Sequence, residues 1–233
     1  MSDELVFYTN PMSRGRIVRW MLEEVGAPYR TEILDYETTM KGDAYHAINP
    51  MLKVPAIAHR GAVVTETAAI CAYLADAFPV AALAPPLADR AAYYRWLFFA
   101  AGCVEAAITK ASLGVVPPPE KHGMIGYGSL AETVDALEVA VAGRAFVAGD
   151  RFSAADVYVG YVGAQIGWGM AFGSIEKRPA FEAYCAPLVA RPAAVRARAR
   201  ARRCPAARGN ARQDVAWMPS LEHSTPTTRG LRR

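Results

Sequence analysis

The stretch NPMLKVPAIAHRGAVVTETAAICAYLADAFP, residues 49–79, decides the fold of this chain. Residues 54–59 and 62–65 are short runs rich in apolar and β-branched residues, and the Arg-Gly pair between them is a typical hairpin connection. Residues 67–77 are rich in alanine, and Pro79 prevents a helix from continuing. The stretch therefore predicts a β-hairpin that leads directly into a helix.

The residues before this stretch predict a strand, a helix and a second strand. Residues 5–9 are apolar and aromatic, and an Asn-Pro pair ends the run. Apolar residues then recur with helical spacing up to Gly26, which is a typical stop residue. A weaker strand pattern follows at residues 31–34, and the polar residues 36–48 leave room for one helical turn. The predicted order is βαβ followed by ββα.

The second half of the chain has helical patterns, and the strand patterns largely vanish. A proline-rich segment, VAALAPPLADR, has the composition of a connection between domains. Beyond it, the helical patterns lie at residues 90–112, 130–141, 154–166 and 180–190. A chain of 233 residues, 53% of them hydrophobic, can form two modest domains. We therefore predict an α/β domain at residues 1–80, a linker at 81–89, an all-helical domain at 90–203 and a disordered tail at 204–233.

The composition argues against several classes of protein. The longest apolar run, residues 96–104, is far shorter than the roughly 20 residues that cross a bilayer, so no membrane segment is expected. The four cysteines lie far apart, with no histidine at ligand-like spacing, so neither a metal site nor a thiol redox pair is predicted. A reducing, cytoplasmic location is the expectation that follows.

Positive charge is concentrated at the end of the chain. Residues 191–233 hold eleven arginines against two acids, a net charge of +9, and since the whole chain carries +4, residues 1–190 carry −5. Such a run could bind phosphates. Its scarcity of large apolar residues instead favours a frayed last helix followed by a disordered extension. We therefore expect no nucleic-acid partner.

The pentapeptide FSAAD at residues 152–156 predicts the start of a helix. A serine at the N-cap can accept hydrogen bonds from the first turn, and an acid three residues later can accept from the N–H of that serine. Ser153 and Asp156 have this spacing. Because such a cap contributes about 1 kcal/mol, its predicted role is structural.

Several motifs occur in an order that resembles a known family. SRGR follows the first predicted strand, KVPAI precedes the third, TETAAICAYL begins the next helix, and GDRFSAAD lies in the helical half. Over about residues 4–200, this order resembles a cytosolic glutathione S-transferase of the bacterial serine type. The resemblance implies a thioredoxin-like α/β domain followed by a helical bundle. It also implies a cytoplasmic homodimer that uses glutathione as its co-substrate in detoxification.

The resemblance gives Ser13 a chemical role. In serine-type members, a serine at the start of the first helix points its hydroxyl at the sulfur of glutathione, and Ser13 occupies that place. A free thiol with a pKa of ~8.5 is only a few per cent thiolate near pH 7. Lowering that pKa by about two requires roughly 2.7 kcal/mol, which one hydrogen bond to the anion and a helix N-terminus can supply. Tyr8 is the alternative, because other branches use a tyrosine at the end of the first strand.

The resemblance also implies a set of glutathione-binding residues. Val54-Pro55 matches a segment in which a cis proline lets the backbone of the preceding residue pair with the cysteinyl part of glutathione. Glu66 matches an acid that binds the γ-glutamyl ammonium, and Thr67 replaces the usual serine that binds the neighbouring carboxylate. Lys53 and Lys41 are candidates for the glycyl carboxylate, and Lys41 is better explained as an ordinary surface lysine.

These residues together predict an enzyme. The expected reaction is attack of the glutathione thiolate on a small, hydrophobic electrophile, with Ser13 as the catalytic residue. Two alternatives stay open: a glutathione-dependent isomerase, lyase or peroxidase with the same site, and a non-enzymatic interaction protein with the same scaffold. Substrate profiling separates the first alternative from a transferase, and a test of glutathione binding separates the second.

Overall fold

In the computed structural model, which describes residues 3–167 and 178–204, a four-stranded sheet with its helices precedes an all-helical region. The first region contains β1 (Val6–Thr9), α1 (Gly15–Val25), β2 (Arg30–Ile33), α2 (Asp43–His46), β3 (Ala56–His59), β4 (Ala62–Thr65) and α3 (Thr67–Ala77). The second contains α4 (Ala91–Phe99), α5 (Glu105–Ser112), α6 (Leu130–Val141), α7 (Ala154–Gly167), α8 (Pro179–Val189) and α9 (Pro192–Arg202). This arrangement confirms the predicted fold class. None of these described helices is both long and apolar enough to cross a bilayer.

The sheet has the strand order β2-β1-β3-β4. β1 runs parallel to β2 and antiparallel to β3, and β3 and β4 form the predicted hairpin. Phe7 and Ile57, partners in β1 and β3, lie in the main hydrophobic core, whereas the neighbouring pair Tyr8 and Ala56 belongs to a smaller cluster. The two pairs separate because successive side chains of a strand point to opposite faces of a sheet.

β3 begins two residues later than the sequence predicts. The predicted strand covered residues 54–59, whereas the observed strand is Ala56–His59. Pro55 has no N–H to donate to a ladder, so the regular strand starts after it. The Val54–Pro55 peptide bond is cis, as the resemblance implies. The residues just before β3 therefore lie at the end of the strand, outside the ladder.

α7 is the central helix of the second region, and two glycines allow its close packing. A Cβ atom on Gly163 would lie 3.1 Å from a side-chain atom of Phe181 on α8. A Cβ atom on Gly160 would lie 3.1 Å from Leu188 on α8 and 3.3 Å from Trp20 on α1. These distances are shorter than those of ordinary contacts, so glycine at both positions lets α7 approach α8 and α1 closely.

The start of α7 differs in part from the predicted cap. Asp156 accepts from the N–H of Ser153 at 2.8 Å, as predicted, but it also accepts from the Ser153 hydroxyl at 2.9 Å. Among the described residues, no N–H of the first turn donates to this hydroxyl, and the N–H of Asp156 donates to the Ser153 carbonyl at 3.0 Å, so that part of the predicted cap is not observed. The buried Asp156 also accepts from the Val147 N–H and the Tyr184 hydroxyl, both at 2.7 Å, and so connects three segments.

α9 corrects the prediction of a frayed last helix. It is regular over Pro192–Arg202 and packs against α1. Arg191 pairs with Glu24 at 2.7 Å, and Arg196 and Arg200 pair with Glu23 at 3.2 and 3.1 Å. The prediction was wrong because an arginine-rich composition favours exposure to solvent, whereas Glu23 and Glu24 of α1 lie opposite these arginines. Apart from Cys204, the predicted disordered tail lies outside the described residues.

The proline-rich connection between the two regions is exposed at one end and attached at the other. Val80, in a 3-10 helical turn at Pro79–Ala81, is 98% exposed. Three residues later, the carbonyl of Leu83 accepts from the N–H of Ala154 at 2.8 Å. The connection is therefore fixed to the start of α7 soon after it leaves the sheet region.

Candidate functional site

A cleft of about 360 Å³ opens between the sheet region and the helical region. This volume lies within the ~300–1,000 Å³ typical of small-molecule sites. The cleft is lined by Arg14, Asn49, Met51, Lys53, Val54, Pro55, Glu66, Thr67, Ala68, Ala101, Glu105 and Tyr158. The structure thus brings together the predicted glutathione-binding residues Lys53, Val54, Pro55, Glu66 and Thr67, whereas Ser13 lies outside the lining. Lys41 lies on an exposed 3-10 turn, outside this lining.

The backbone just before the cis proline is held rigidly. The carbonyl oxygen of Lys53 accepts from the Tyr45 hydroxyl at 2.5 Å and from Nδ2 of Asn49 at 2.8 Å. Tyr45 and Asn49 are both buried, so these donors are fixed in position. Within the described ranges, no hydrogen bond to the N–H or C=O of Val54 is observed. The Val54 backbone therefore presents one donor and one acceptor at the wall of the cleft.

Glu66 has an unusual backbone conformation directly before α3. Its φ is 65° and its ψ is 121°, although glutamate is not a residue that favours positive φ. Thr67, the first residue of α3, is buried beside it. The first N–H groups of a helix lack partners within the helix and attract anions. The site therefore places a carboxylate and an anion-binding helix end side by side.

Arg14 reaches from the start of α1 to the helical wall of the cleft. Its Nε donates to both carboxylate oxygens of Glu105, at 2.8 and 2.9 Å, and the Tyr158 hydroxyl donates to the same carboxylate at 3.3 Å. Burial by itself would lower the pKa of Arg14, but the hydrogen bond and charge of Glu105 outweigh it and raise the pKa. Burial also raises the pKa of Tyr158, so its hydroxyl stays protonated and remains a donor.

Arg14, Glu105 and Tyr158 could not be recognised as site residues from the sequence. Arg14 follows the predicted Ser13 directly, but nothing in its surroundings indicates a partner in the second half of the chain. Glu105 is 91 residues away from Arg14, and Tyr158 is a further 53 residues away from Glu105. Around each of these residues the sequence indicates only a helix. Their contact depends on how the two regions pack together, which the sequence pattern does not show.

Ser13 lies at the start of α1, as predicted, but its hydroxyl is engaged locally. It donates to the Asn10 carbonyl at 2.7 Å and accepts from the Gly15 N–H at 3.0 Å. A Cβ on Gly15 would lie 2.0 Å from Oγ1 of Thr9 and 2.9 Å from Oγ of Ser13, so only glycine fits there. Ser13 is partly exposed, beside the cleft-lining Arg14.

Tyr8, the alternative to Ser13, lies on the face of the sheet that carries the smaller hydrophobic cluster. It is partly buried, and its ring packs against that of Tyr45 with a centroid distance of 5.8 Å. Tyr8 also lies outside the lining of the cleft. Both candidates for thiol activation therefore lie outside the lining of the cleft.

Comparison with known proteins relates this chain to one family. Residues 12–77 match the family model described as "Glutathione S-transferase, N-terminal domain". The Escherichia coli O157:H7 protein described as "Glutathione S-transferase GstA" is 31% identical over 121 residues, which span 51% of this chain and 59% of that protein. The matched region thus covers less than two thirds of this curated relative.

Solved structures extend the similarity over most of the chain. A glutathione transferase from Methylococcus capsulatus str. Bath is 30% identical, with a TM-score of 0.68, over 84% of this chain and 98% of that one. A sphingomonad glutathione S-transferase, solved in complex with glutathione, is 28% identical, with a TM-score of 0.69, over 85% of this chain and 100% of that one. The similarity therefore includes both the sheet region and the helices.

Proposed function

Because this chain belongs to the glutathione S-transferase family, we propose that it conjugates glutathione to a small electrophile. The observation that carries the proposal is the cleft itself. It combines the backbone of Val54, which hydrogen-bonds to none of the described residues, and the adjacent cis Val54–Pro55 bond with Glu66 and Thr67 at the start of α3. Glutathione has a peptide backbone, an ammonium group and two carboxylates, and this wall offers a matching group for each of them.

We infer the following contacts for glutathione. The N–H and C=O of Val54 pair with its cysteinyl backbone, as a strand added to a sheet edge would. Glu66 binds its ammonium, and the Thr67 hydroxyl with the first N–H groups of α3 binds the neighbouring carboxylate. Lys53 binds the glycyl carboxylate at the other end. The positive φ of Glu66 supports a functional role, because strained conformations are concentrated at binding sites.

Ser13 is the proposed activating group for the thiol. For its hydroxyl to donate to sulfur, its hydrogen must turn away from the Asn10 carbonyl, which it now contacts at 2.7 Å. The rotation is favourable when a thiolate replaces a neutral carbonyl as acceptor, because hydrogen bonds to charged groups are roughly twice as strong. The thiolate then attacks the electrophilic carbon, a C–S bond forms, and the leaving group departs with the electron pair.

We also propose a homodimer in a reducing, cytoplasmic environment. All four cysteines are free, which supports a reducing location. Tyr94 and Phe98 on α4 are 41% and 57% exposed, and their rings lie 6.2 Å apart. Exposed aromatic pairs are enriched at protein interfaces, so this face of α4 supports a contact with a second copy.

Thermal-shift titration with reduced glutathione tests the proposed function. We expect a saturable rise in melting temperature for the wild type at millimolar ligand. Glu66→Ala should weaken binding by about 1.5 to 3 kcal/mol, the contribution of a charge-assisted hydrogen bond. Glu120→Ala is the matched control, because Glu120 is exposed and lies outside the cleft. If the wild type does not respond to glutathione, the non-enzymatic alternative replaces the proposal.

A further inference from the structure

The proposed glutathione contacts leave one cation of the cleft unused. Among the residues that line the cleft, the cations are Lys53 and Arg14, and Lys53 is assigned to the glycyl carboxylate. Arg14 donates to Glu105 through Nε alone. Within the described ranges, its terminal nitrogens Nη1 and Nη2 donate to no residue, and its side chain is 35% exposed. Arg14 therefore has free donors at the wall of a ligand-sized cleft.

The surroundings of Arg14 fix its orientation without neutralising it completely. Glu105 holds Nε with both oxygens, which sets the plane of the guanidinium. Tyr158 donates to the same carboxylate and so takes up part of its negative charge. A guanidinium remains charged at all accessible pH values, and its two terminal nitrogens match the two oxygens of a carboxylate. Arg14 is therefore preorganised to bind a second carboxylate through Nη1 and Nη2.

We propose that the electrophile of this enzyme carries a carboxylate, which the terminal nitrogens of Arg14 hold. The inference rests on the proposed function and specifies its substrate class. Met51, which is 71% exposed, and Ala101 line the same cleft and provide an apolar surface for the carbon skeleton. The substrate class is thus a small organic acid with a displaceable group. In the reaction, sulfur forms a bond to carbon, the bond from that carbon to the displaceable group breaks, the group leaves with the electron pair, and the thiol proton goes to solvent.

Binding of an unreactive matched pair tests the carboxylate directly. The probes are 3-nitrobenzoate and 3-nitrobenzamide, titrated calorimetrically into the full chain with and without S-methylglutathione, which cannot react. We expect the acid to bind about tenfold or more tightly than the amide, the range of one charge-assisted contact. Equal binding of the two probes, including undetectable binding of both, overturns the proposal.

Variants of the two ion-pair partners separate a binding role from a structural one. Arg14→Met should weaken binding of 3-nitrobenzoate by about tenfold to a hundredfold. Glu105→Gln keeps an oxygen that can accept from Nε of Arg14, so the guanidinium stays oriented, and removes the competing negative charge, so binding should strengthen by about two- to fivefold. A salt bridge that only stabilises the fold predicts losses in both variants, and that outcome overturns the proposal. Lys110→Met on α5, an exposed cation outside the cleft, is the charge-matched control.

Kinetics then connect this binding to the reaction. With glutathione, 4-chloro-3-nitrobenzoate should have a lower KM than 4-chloro-3-nitrobenzamide, and Arg14→Met should abolish the difference while changing the KM for glutathione by less than about threefold. A rise in the glutathione KM instead assigns Arg14 to the glutathione half of the site and overturns the inference. Absence of conjugation with both probes, combined with retained acid-selective binding, rejects the proposed function but keeps the carboxylate site.

Discussion

Ser13 must give up its hydrogen bond to Asn10 before its hydroxyl can stabilise a thiolate, and this provides a clear test. Ser13→Ala should keep glutathione affinity within about tenfold but raise the pKa of the bound thiol by about one to two, because the hydroxyl acts mainly on the charged sulfur. Turnover near pH 7 should fall about tenfold to a hundredfold. Part of the loss should return at higher pH, where the thiolate forms without help. Ultraviolet titration of the thiolate measures the pKa.

Tyr8→Phe is the matched control for that experiment, since it also removes only a hydroxyl. We expect its thiolate titration to resemble that of the wild type. A normal titration in Ser13→Ala together with a shifted one in Tyr8→Phe would reverse the assignment. If neither variant changes the pKa, the activating group is a backbone N–H near Ser13 or the side chain of Asn10.

The positive φ of Glu66 predicts that two substitutions of this residue weaken glutathione binding equally but differ in their effect on stability. Glu66→Ala and Glu66→Gly both remove the carboxylate, so both should weaken glutathione binding to a similar extent. Only glycine adopts positive φ without strain, so Glu66→Gly should be more stable than Glu66→Ala by about 1 kcal/mol. Urea denaturation of the two variants measures this difference. Equal stability would mean that the surrounding structure, rather than the residue type, determines the cost of this conformation.

Some of the site could be predicted from the sequence because its members are neighbours along the chain. Lys53, Val54 and Pro55 form one continuous segment, and Glu66 and Thr67 form another, so local motifs contain the information. The contact between Arg14 and Glu105 could not be predicted, because it depends on how the helical region packs against α1. The resemblance provides roles for residues but not the partners that orient them.

The contact between α1 and α9 predicts unequal effects for two similar substitutions. Arg191 pairs with Glu24, whose side chain is only 7% exposed, and its guanidinium lies 3.7 Å from the ring centroid of Phe152. Arg191→Ala leaves that acid without its cation and should cost about 2 kcal/mol. Arg196→Ala should cost less than about 1 kcal/mol, because Arg196 is itself 53% exposed and the buried Glu23 still pairs with Arg200 at 3.1 Å. Equal losses in chemical denaturation would show that both pairs stabilise the contact in the same way.

His59 on β3 predicts a pH dependence of stability. Burial lowers the pKa of His59, the charge of Arg60 lowers it further, and Asp3 opposes the shift. In the unfolded chain, His59 has its usual pKa of 6.5, so it binds a proton more readily there than in the folded chain. The free energy of unfolding should thus decrease as pH falls below about 6.5.

Two variants test this dependence: one removes the imidazole of His59, and the other removes only the neighbouring hydroxyl of Tyr73. His59→Phe keeps an aromatic ring stacked on Phe78 and should flatten the pH profile measured by urea denaturation. Tyr73→Phe removes the hydroxyl that lies 2.9 Å from Nδ1 of His59 but retains the imidazole, so it should keep the decrease. If His59→Phe preserves the full decrease, another group is responsible.

The order of the elements could be predicted because most of them have a strong local period. α3 and α6 have the predicted bounds, Thr67–Ala77 and Leu130–Val141. α9 was misjudged because its stability depends on Glu23 and Glu24 in a distant helix. The complete capping box at Ser129 and Glu132 was also missed, although it is a local pattern that the sequence contains.

The proposed homodimer predicts that a charge on the exposed face of α4 disrupts assembly. Phe98→Asp should shift the protein from dimer to monomer at micromolar concentration, because a buried unpaired carboxylate is costly at an interface. Leu113→Asp is the control, since Leu113 is 69% exposed at the end of α5. Sedimentation equilibrium gives the masses. A monomeric wild type at the same concentration would reject the dimer.

The exposed connection at Val80 makes the chain suitable for construction of a split reporter. A break after this residue separates residues 1–80 from residues 81–233, and α1 remains in a different fragment from α7 and α9. Neither fragment contains all walls of the cleft, so any conjugating activity requires reassembly of the two. Fusion of each fragment to one of two interacting proteins would then convert their proximity into a coloured product. The same break offers a route to circular permutation, because exposed positions tolerate new termini.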